Sequence, residues 1–121
     1  MNTLKLTRSD FDANGKYVGA VDINGYDGNV EIEERLGWCV FVAIKVTGYL
    51  RAKAGSGIEA GWGIKAGSGI EAGSGIDFKF QLFAGVVTWR KRTAEDGVIR
   101  CTSINGGDIV LGEVIITADA A

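Results

Sequence analysis

The middle of the chain alternates between apolar and polar residues with a period of two. From Val40 to Val87, even-numbered positions hold Val, Ile, Leu, Phe, Trp or Ala in 20 of 24 cases, and all eight charged residues are at odd positions. The four even exceptions are small residues: Gly48, Ser56, Ser68 and Ser74. Alternation of this kind is typical of strands that bury one face. We therefore predict strands whose even positions point inward.

A period of six lies on this alternation. From Ile58 the chain reads IEAGWG, IKAGSG, IEAGSG, ID. A single strand from Val40 to Val87 would be about 150 Å long at ~3.3 Å per residue, so the chain has to turn repeatedly without losing its inward and outward phase. The stacked coils of a β-solenoid meet this requirement. The first hexad position is apolar throughout: Val40, Val46, Ala52, Ile58, Ile64, Ile70, Ile76 and Leu82.

These hexads resemble those of hexapeptide-repeat proteins, the left-handed parallel β-helices. Their rule asks for an aliphatic residue first, a small or acidic one second and a small or β-branched one fifth, and Ile70–Gly75 fits it. Lys65, at the second position, and Trp62, at the fifth, depart from it. The resemblance implies three hexads per coil, which is about 18 residues.

A coil of about 18 residues predicts which side chains stack on one another. Trp62 is then expected to be a core residue, because its position is even. The expected neighbours are Ile44 and Phe80 for Trp62, Val42 and Phe78 for Ala60, and Val40 and Ile76 for Ile58.

An antiparallel meander is the alternative architecture for the central segment. In that case each Gly-x-Gly would mark a turn or a bulge rather than a corner of a solenoid. Both architectures are almost entirely β, since no part of the chain has an apolar stripe with the helical period.

We predict a single all-β domain over 1–121, with both flanks closing the stack. Residues 1–39 are expected to form an N-terminal hairpin cap, because Asn14-Gly15 favours a type I′ turn. Residues 40–87 carry the hexad repeat. The predicted fold is therefore a short β-solenoid with left-handed β-helix-like hexads, an N-terminal hairpin and a C-terminal β-meander.

The C-terminal meander is predicted over residues 88–121. Its turns are expected at Asp96-Gly97 and at Asn105-Gly106-Gly107, where glycine and asparagine favour them. The last strand, from Ile109 to Thr117, is apolar enough to be central in a sheet or to pair with a partner.

Composition limits the compartment and the partners. The net charge is −2 and the isoelectric point about 5.1, which argues against direct nucleic-acid binding through a basic surface. The chain shows no apolar run typical of a signal peptide and no stretch near the ~20 apolar residues of a membrane span, so we expect a soluble, cytoplasmic protein with no membrane partner. Cys39 and Cys101 are expected to be unpaired thiols.

Catalytic and cofactor sites are not expected. The chain has no histidine, so an imidazole base or metal ligand is not available. Among left-handed β-helix proteins, the acyltransferases and the gamma-class carbonic anhydrases typically depend on histidine. The glycine run also lacks the ending of a phosphate-binding loop, and the cysteines lack a zinc spacing. We predict that the protein is not an enzyme and has no catalytic residue, cofactor or metal.

Two short segments are weaker candidates for binding sites. Asp10, Asp12 and Asn14 match the first half of a calcium loop, but Val21 occupies the place of the bidentate glutamate, so a turn is favoured. The segment WRKR, 89–92, is the only basic cluster beside an aromatic residue. It could contact phosphate or RNA bases, but an exposed strand end is the favoured explanation.

The first functional hypothesis is an inhibitor that binds a protein partner by surface complementarity. The short, acidic chain with degenerate hexads is similar in style to small proteins of phages and mobile elements, among which are the anti-CRISPR inhibitors. That resemblance implies a partner such as a CRISPR nuclease, a nucleic-acid-binding protein. Acidic residues would then mimic phosphate before a basic groove. The expected partner-binding residues are Asp10, Asp12, Asp22, Asp27, Glu31, Glu33 and Glu34.

Two further hypotheses compete with the inhibitor. The glycine and aliphatic hexads also resemble bactofilins, which implies a self-assembling structural protein and a homo-oligomer. A carbohydrate binder is the third hypothesis and would need exposed aromatic residues. The aromatic residues with outward parity are Phe41, Tyr49, Phe83 and Trp89.

Overall fold

The computed structural model describes residues 2–86, 93 and 96–116. Its described part is all-β, apart from one 3₁₀ turn at Arg8–Asp10. The strands are β1 (Thr3–Leu6), β2 (Asn24–Tyr26), β3 (Asn29–Ile32), β4 (Gly37–Phe41), β5 (Ile44–Val46), β6 (Leu50–Ala52), β7 (Ser56–Ala60), β8 (Gly63–Ala66), β9 (Ile70–Ala72), β10 (Ile76–Ala84), β11 (Val98–Cys101), β12 (Ile104–Leu111) and β13 (Glu113–Ile116).

These strands pair in parallel. One sheet has the order β1-β3-β6-β9-β11-β13 and the other the order β2-β5-β8-β10-β7-β4, with β12 also paired to β10. The long strand β10 pairs with β7 through Ile76–Phe78 and with β8 through Gln81–Ala84, so it joins the two halves of the second sheet. The antiparallel meander is therefore wrong for the central segment, because strands that return in the same direction pair side by side.

In the central segment, paired residues recur at intervals of 18 to 20 residues. Leu50 pairs with Val30 before it and with Ile70 after it. Ile58 pairs with Ile76, as predicted, but its other partner is Cys39 rather than Val40. The predicted stacking is therefore right after Ile58 and shifted before it.

Corner lengths explain the shift. Five residues separate the inward Ala52 from the inward Ile58, whereas three separate Ala72 from Ile76. The corner after Phe41 is short instead. The neighbours of Ala60 are accordingly Phe41 and Phe78, and those of Trp62 along the backbone hydrogen bonds are Val42 and Phe80.

The core follows the predicted alternation over most of its length. Side chains at six-residue intervals are all buried: Ile58, Ile64, Ile70, Ile76 and Leu82. Before Val42 the buried side chains are at odd positions, and after Ala43 they are at even positions. The change occurs because only these two residues separate the buried Phe41 from the buried Ile44. Phe41 and Cys39 are consequently buried at odd positions, and the predicted outward position of Phe41 is wrong.

The N-terminal segment turns as predicted but not in the predicted way. Gly15 N–H donates to Asp12 O and Asp12 N–H donates to Lys16 O, which closes a tight turn next to the antiparallel bridge between Phe11 and Tyr17. A type I′ turn needs positive φ at two residues, and here Gly15 has φ +81° whereas Asn14 does not have positive φ. β1 pairs in parallel with β3 and is not a hairpin strand.

The predicted C-terminal meander is wrong. β11 pairs in parallel with β9 and β13, and β12 pairs in parallel with β10. The turn at Asp96-Gly97 is confirmed, but Asn105-Gly106-Gly107 lies inside β12. A Cβ at Gly106 would collide with the carbonyl oxygen of Phe78, so this glycine permits close pairing with β10 rather than a turn.

Candidate binding surfaces

The N-terminal end of the strand stack is closed by an aromatic cluster. The ring of Phe11 lies 5.8 Å from those of Tyr17 and Phe41, and the rings of Tyr17 and Phe41 are 5.7 Å apart. Phe41 is only 3% exposed beneath this cover. We call this region, formed by Phe11–Tyr17 over β4, the capped end.

Backbone hydrogen bonds fix the cap to the edge of β4. Tyr17 N–H donates to Val40 O at 2.9 Å, and Val40 N–H donates to Gly15 O at 2.8 Å. Leu6, the last residue of β1, and Ile23, just before β2, are buried as well. The cap therefore completes both the hydrogen bonding of β4 and the burial of the first core layer.

The C-terminal end of the stack is different. β13 is the last strand in the order of its sheet, and β12 lies beside β10, outside the main order of the other sheet. Ile116 pairs with the buried Cys101 but is 58% exposed, and Ile109 pairs with the buried Leu82 but is 37% exposed. Each of these two isoleucines therefore continues a column of paired, inward-pointing core side chains from strand to strand. We call β12 and β13 together the open end.

The exposed apolar surface of the open end extends to outward positions. Val110 and Ile115 are exposed large hydrophobic residues on the same two strands. Within the described residues, β13 has a strand neighbour on one side only, which is β11. Unpaired backbone groups beside exposed aliphatic side chains are typical of an edge that binds another chain.

The seven predicted acidic residues all lie between β1 and β4. Five of their side chains are exposed: Asp12, Asp22, Asp27, Glu33 and Glu34. Most of them also support local backbone structure. Asp10 accepts a hydrogen bond from Thr7 N–H, Asp22 accepts one from Asn24 N–H, and Glu33 accepts one from Arg8 N–H.

Two of these acidic residues accept hydrogen bonds from side chains in the segment between β5 and β6. Asp27 accepts a hydrogen bond from the Thr47 hydroxyl at 2.9 Å. Glu31 accepts one from the Tyr49 hydroxyl at 2.6 Å, and this hydrogen bond, opposed by partial burial, lowers the pKa of the Glu31 carboxyl. The same hydrogen bond raises the pKa of Tyr49, because ionising the phenol would break it.

The calcium-loop candidate forms a turn. One carboxylate oxygen of Asp12 accepts hydrogen bonds from Asn14 N–H and Lys16 N–H, at 2.8 and 3.0 Å. An oxygen used in this way stabilises the backbone of the turn. Among the residues that the structure describes, no three acidic or cysteine side chains form a group that could hold a metal ion.

A column of exposed apolar side chains was missed by the sequence analysis. Val42, Trp62 and Phe80 lie side by side and are 76%, 62% and 55% exposed. Val42 and Trp62 are on corners between strands, whereas Phe80 lies within β10. Trp62 N–H donates to Val42 O, and Phe80 N–H donates to Trp62 O, both at 2.8 Å. The predicted core position of Trp62 is therefore wrong, because it lies on a corner between β7 and β8. The sequence contained a signal of this exposure, because the fifth hexad position usually holds a small residue and here holds Trp62.

Other predicted aromatic and basic candidates are scattered. Phe83 is half-buried, with the Lys65 ammonium 5.8 Å from its ring centroid. Tyr49 is half-buried too, with the Arg51 guanidinium 4.8 Å from its ring centroid. Trp89 and the rest of the segment 89–92 lie outside the described residues.

The cysteines are free thiols in the core. Cys39 lies in β4 at the capped end, and Cys101 lies in β11 next to the open end. Burial raises the pKa of the Cys39 thiol to about 11, against a smaller opposing effect of Arg8. Burial also raises the pKa of Cys101. Thiols that keep their proton in this way are poor nucleophiles and poor metal ligands.

The remaining findings concern membranes and relatives. Within the described ranges, no helix is long and apolar enough to cross a membrane. None of the protein-family models, curated proteins or solved structures compared with this chain matches it.

Proposed function

We propose that the chain is a short β-solenoid that acts as a non-enzymatic protein-binding module, and that its open end binds a second copy of itself. The exposed ends of the core columns at Ile109 and Ile116 are the observation that carries this proposal. It corresponds to the self-assembly hypothesis, limited to a dimer.

The parallel registers support the solenoid. In one sheet, Val30, Leu50, Ile70 and Ile99 follow one another across four strands. In the other, Ile44, Ile64 and Leu82 do the same. Stacked coils produce such columns of like residues, because each coil repeats the inward positions of the coil before it.

The chemistry of the open end favours a second copy as its partner. Ile109 and Ile116 are the same kind of residue that fills the core, so an identical end placed against them would continue the aliphatic columns. Among the described strands, β12 and β13 each have one edge without a strand neighbour, and another strand edge supplies the backbone donors and acceptors that such an edge needs. A two-fold contact between identical surfaces satisfies both requirements at once.

The cap limits this assembly to two chains. A filament needs a complementary surface at each end of the solenoid, whereas at the N-terminal end Phe11 and Tyr17 pack against Phe41 and cover it. A closed dimer through the open ends is the assembly that follows.

Light scattering after size exclusion, over a dilution series, tests the proposal. We expect the wild-type protein to have the mass of a dimer at high concentration and that of a monomer on dilution. Ile116→Lys should remain a monomer throughout, because burying the ammonium in the contact is costly. Val42→Lys introduces the same charge at an exposed corner position and serves as the matched control, with the wild-type dimer expected.

Three outcomes would contradict the open-end dimer. The first is a wild-type protein that is monomeric at every concentration. The second is a mass that grows without limit, because a capped solenoid cannot form a filament. The third is a dimer that Val42→Lys disrupts and Ile116→Lys leaves intact, which would place the contact at the exposed corner.

An inhibitor remains the second candidate function, and it would use the acidic surface of the first two coils. The exposure of five of the predicted acidic side chains favours it. Backbone hydrogen bonds to Asp12 and Asp22 also fix these carboxylates, which lowers the entropy lost on binding a basic partner.

Pull-down with a purified CRISPR nuclease tests the inhibitor. If the hypothesis holds, the nuclease is retained at low salt and released as salt rises. Neutralising Asp22, Asp27 and Glu34 together should abolish retention, while Ile116→Lys should leave it unchanged. Retention that survives this neutralisation would contradict the predicted phosphate mimicry.

A further inference from the structure

An open cleft lies on the outer face of β4, β7 and β10. Its volume is about 850 Å³, within the range of small-molecule sites. The segment 16–24 lines one side of it, and Val42 and Trp62 line the other. The cleft therefore joins the cap to the exposed column of Val42 and Trp62, and its Asp77 pairs with Asn105 of β12.

Two carboxylates share a row on the floor of this cleft. Glu59 on β7 and Asp77 on β10 are directly paired positions in the parallel sheet. Like charges at directly opposed positions destabilise a sheet. Both ion pairs among the described residues belong to Arg51, so neither carboxylate has a cationic partner there. Both carboxylates are therefore available to accept hydrogen bonds from a ligand.

Lysines balance these carboxylates within the cleft. Lys16 lines it from the cap and Lys79 from β10, and Asp22 adds a third carboxylate. The lining thus offers ammonium donors and carboxylate acceptors in nearly equal number. A strongly anionic or cationic ligand would find as much repulsion as attraction in such a site.

Trp62 provides an apolar wall between two cavities. It lines the main cleft and also a smaller cavity of about 220 Å³, on whose lining Phe80 and Phe83 lie. The rings of Trp62 and Phe80 pack 5.0 Å apart, which fixes the indole while most of it stays exposed. A rigid exposed aromatic surface beside a polar floor is typical of ligand sites.

We propose that this cleft binds a neutral oligosaccharide. A sugar ring presents C–H bonds on its faces and hydroxyls around its edge, so it can stack on the indole of Trp62 while its hydroxyls reach the floor. Each hydroxyl can donate to Glu59 or Asp77 and accept from Lys79, which matches the mixed lining. The smaller cavity beyond Trp62 accommodates the next ring of a chain.

Glycan-array screening of the intact protein with neutral and acidic oligosaccharides tests this site, followed by calorimetric titration of the best neutral glycan. We expect neutral glycans to bind and Trp62→Ala to weaken binding about tenfold or more, through loss of the stacking surface. Trp38→Ala is the matched control, since Trp38 is also exposed but does not line the cleft. Glu59→Gln with Asp77→Asn should weaken binding as well, while thermal unfolding confirms that each variant is folded.

The outcomes separate this site from the dimer. Neutral-glycan binding that Trp62→Ala removes and Ile116→Lys preserves supports the cleft. Absence of binding to the array, preference for acidic glycans, or equal loss in Trp38→Ala overturns it. The dimer proposal is tested by the mass of the protein in solution, so neither result of the glycan experiment confirms or contradicts it.

Discussion

The two ends of the strand stack hold large apolar residues in different surroundings. Phe41 at the capped end is 3% exposed, whereas Ile116 at the open end is 58% exposed. The segment from Phe11 to Tyr17 makes the difference at the capped end, since it supplies both rings and backbone hydrogen bonds.

This contrast shows what a parallel stack needs in order to end. Each strand of a parallel stack packs its inward side chains beside those of the strands on both sides, so the first and last strands each lack one neighbour. The chain solves this at its N-terminal side with segments that are not part of the repeat. At β12 and β13 the repeat stops with its columns exposed, and the solution has to come from outside the described strands.

The largest expected effect is a difference in the free energy of unfolding lost when an apolar side chain is truncated at each end. Phe41→Ala should lower the free energy of unfolding by about 3–5 kcal/mol, because it removes a buried ring from beneath the cap. Ile116→Ala should change it by less than about 0.5 kcal/mol in dilute protein, because that side chain is already exposed. Urea unfolding followed by circular dichroism measures both. Equal losses would mean that Ile116 is as buried in solution as Phe41, and the contrast would fail.

Gly106→Ala tests the pairing of β12 with β10 at the open end. Its Cβ would collide with the carbonyl oxygen of Phe78, so we expect a loss of about 1–3 kcal/mol and local release of β12 from β10. Hydrogen exchange should show loss of protection in β10 and β12, with β4 and β7 less affected. Gly25→Ala is the matched control, because Gly25 also has positive φ but a Cβ at that position would meet no other atom within 4 Å.

The control isolates the collision from backbone strain. Both glycines have φ values that disfavour L-residues, +143° for Gly25 and +154° for Gly106. A larger loss for Gly106 therefore reports close strand pairing at the open end. If the two variants lose the same stability, β12 does not approach β10 as closely as the structure shows.

The sequence predicted inward and outward positions well where corners have equal length. From Ile58 to Leu82, each hexad's first position follows the last by six residues, and the side chains are buried accordingly. The same rule, that even positions are buried, failed at Phe41 and Cys39, because a corner that is one residue shorter moves the buried side chains from even to odd positions. Alternation predicts which positions are buried within one strand, but three-dimensional packing decides how long each corner is.

The candidate sites were harder to predict. An alternating pattern treats every apolar even residue as core, so Val42, Trp62 and Phe80 were predicted to point inward although they are exposed. Turn signals were also ambiguous, because Asn105-Gly106-Gly107 permits close strand pairing as readily as a turn. The acidic residues were recognised by type alone, and their hydrogen bonds to the backbone became evident only from the geometry.

The two buried cysteines are probes of the two ends. In single-thiol variants, we expect Cys101 in the Cys39→Ala protein to react with a disulfide reagent about tenfold faster than Cys39 in the Cys101→Ala protein, a difference of ~1.4 kcal/mol in opening free energy. The reason is that release of the edge strand β13 uncovers Cys101, whereas Cys39 is held by the pairing of β4 and by the cap. Thiol-labelling kinetics followed by absorbance give both rates.

Protein concentration sharpens this comparison. If the open ends form a dimer, the labelling rate of Cys101 should fall as concentration rises, while that of Cys39 should not change. Equal rates at all concentrations would mean that both thiols react only through global unfolding. Faster labelling of Cys39 would identify the cap as the weaker end.

The smallest expected effect is the loss of stability at alkaline pH. Burial raises the pKa of Cys39 to about 11, whereas an unfolded thiol ionises near pH ~8.5. The folded state therefore keeps a proton that the unfolded state loses, so this contribution is complete below the unfolded pKa and disappears as pH rises towards the folded pKa. We expect a loss of about 1 kcal/mol between pH ~8 and ~9.5 that Cys39→Ala removes. Cys101→Ala, at the end more open to water, should remove less, and urea unfolding at each pH gives the difference. Equal pH profiles for the wild type and Cys39→Ala would show that the capped end does not exclude water from its thiol.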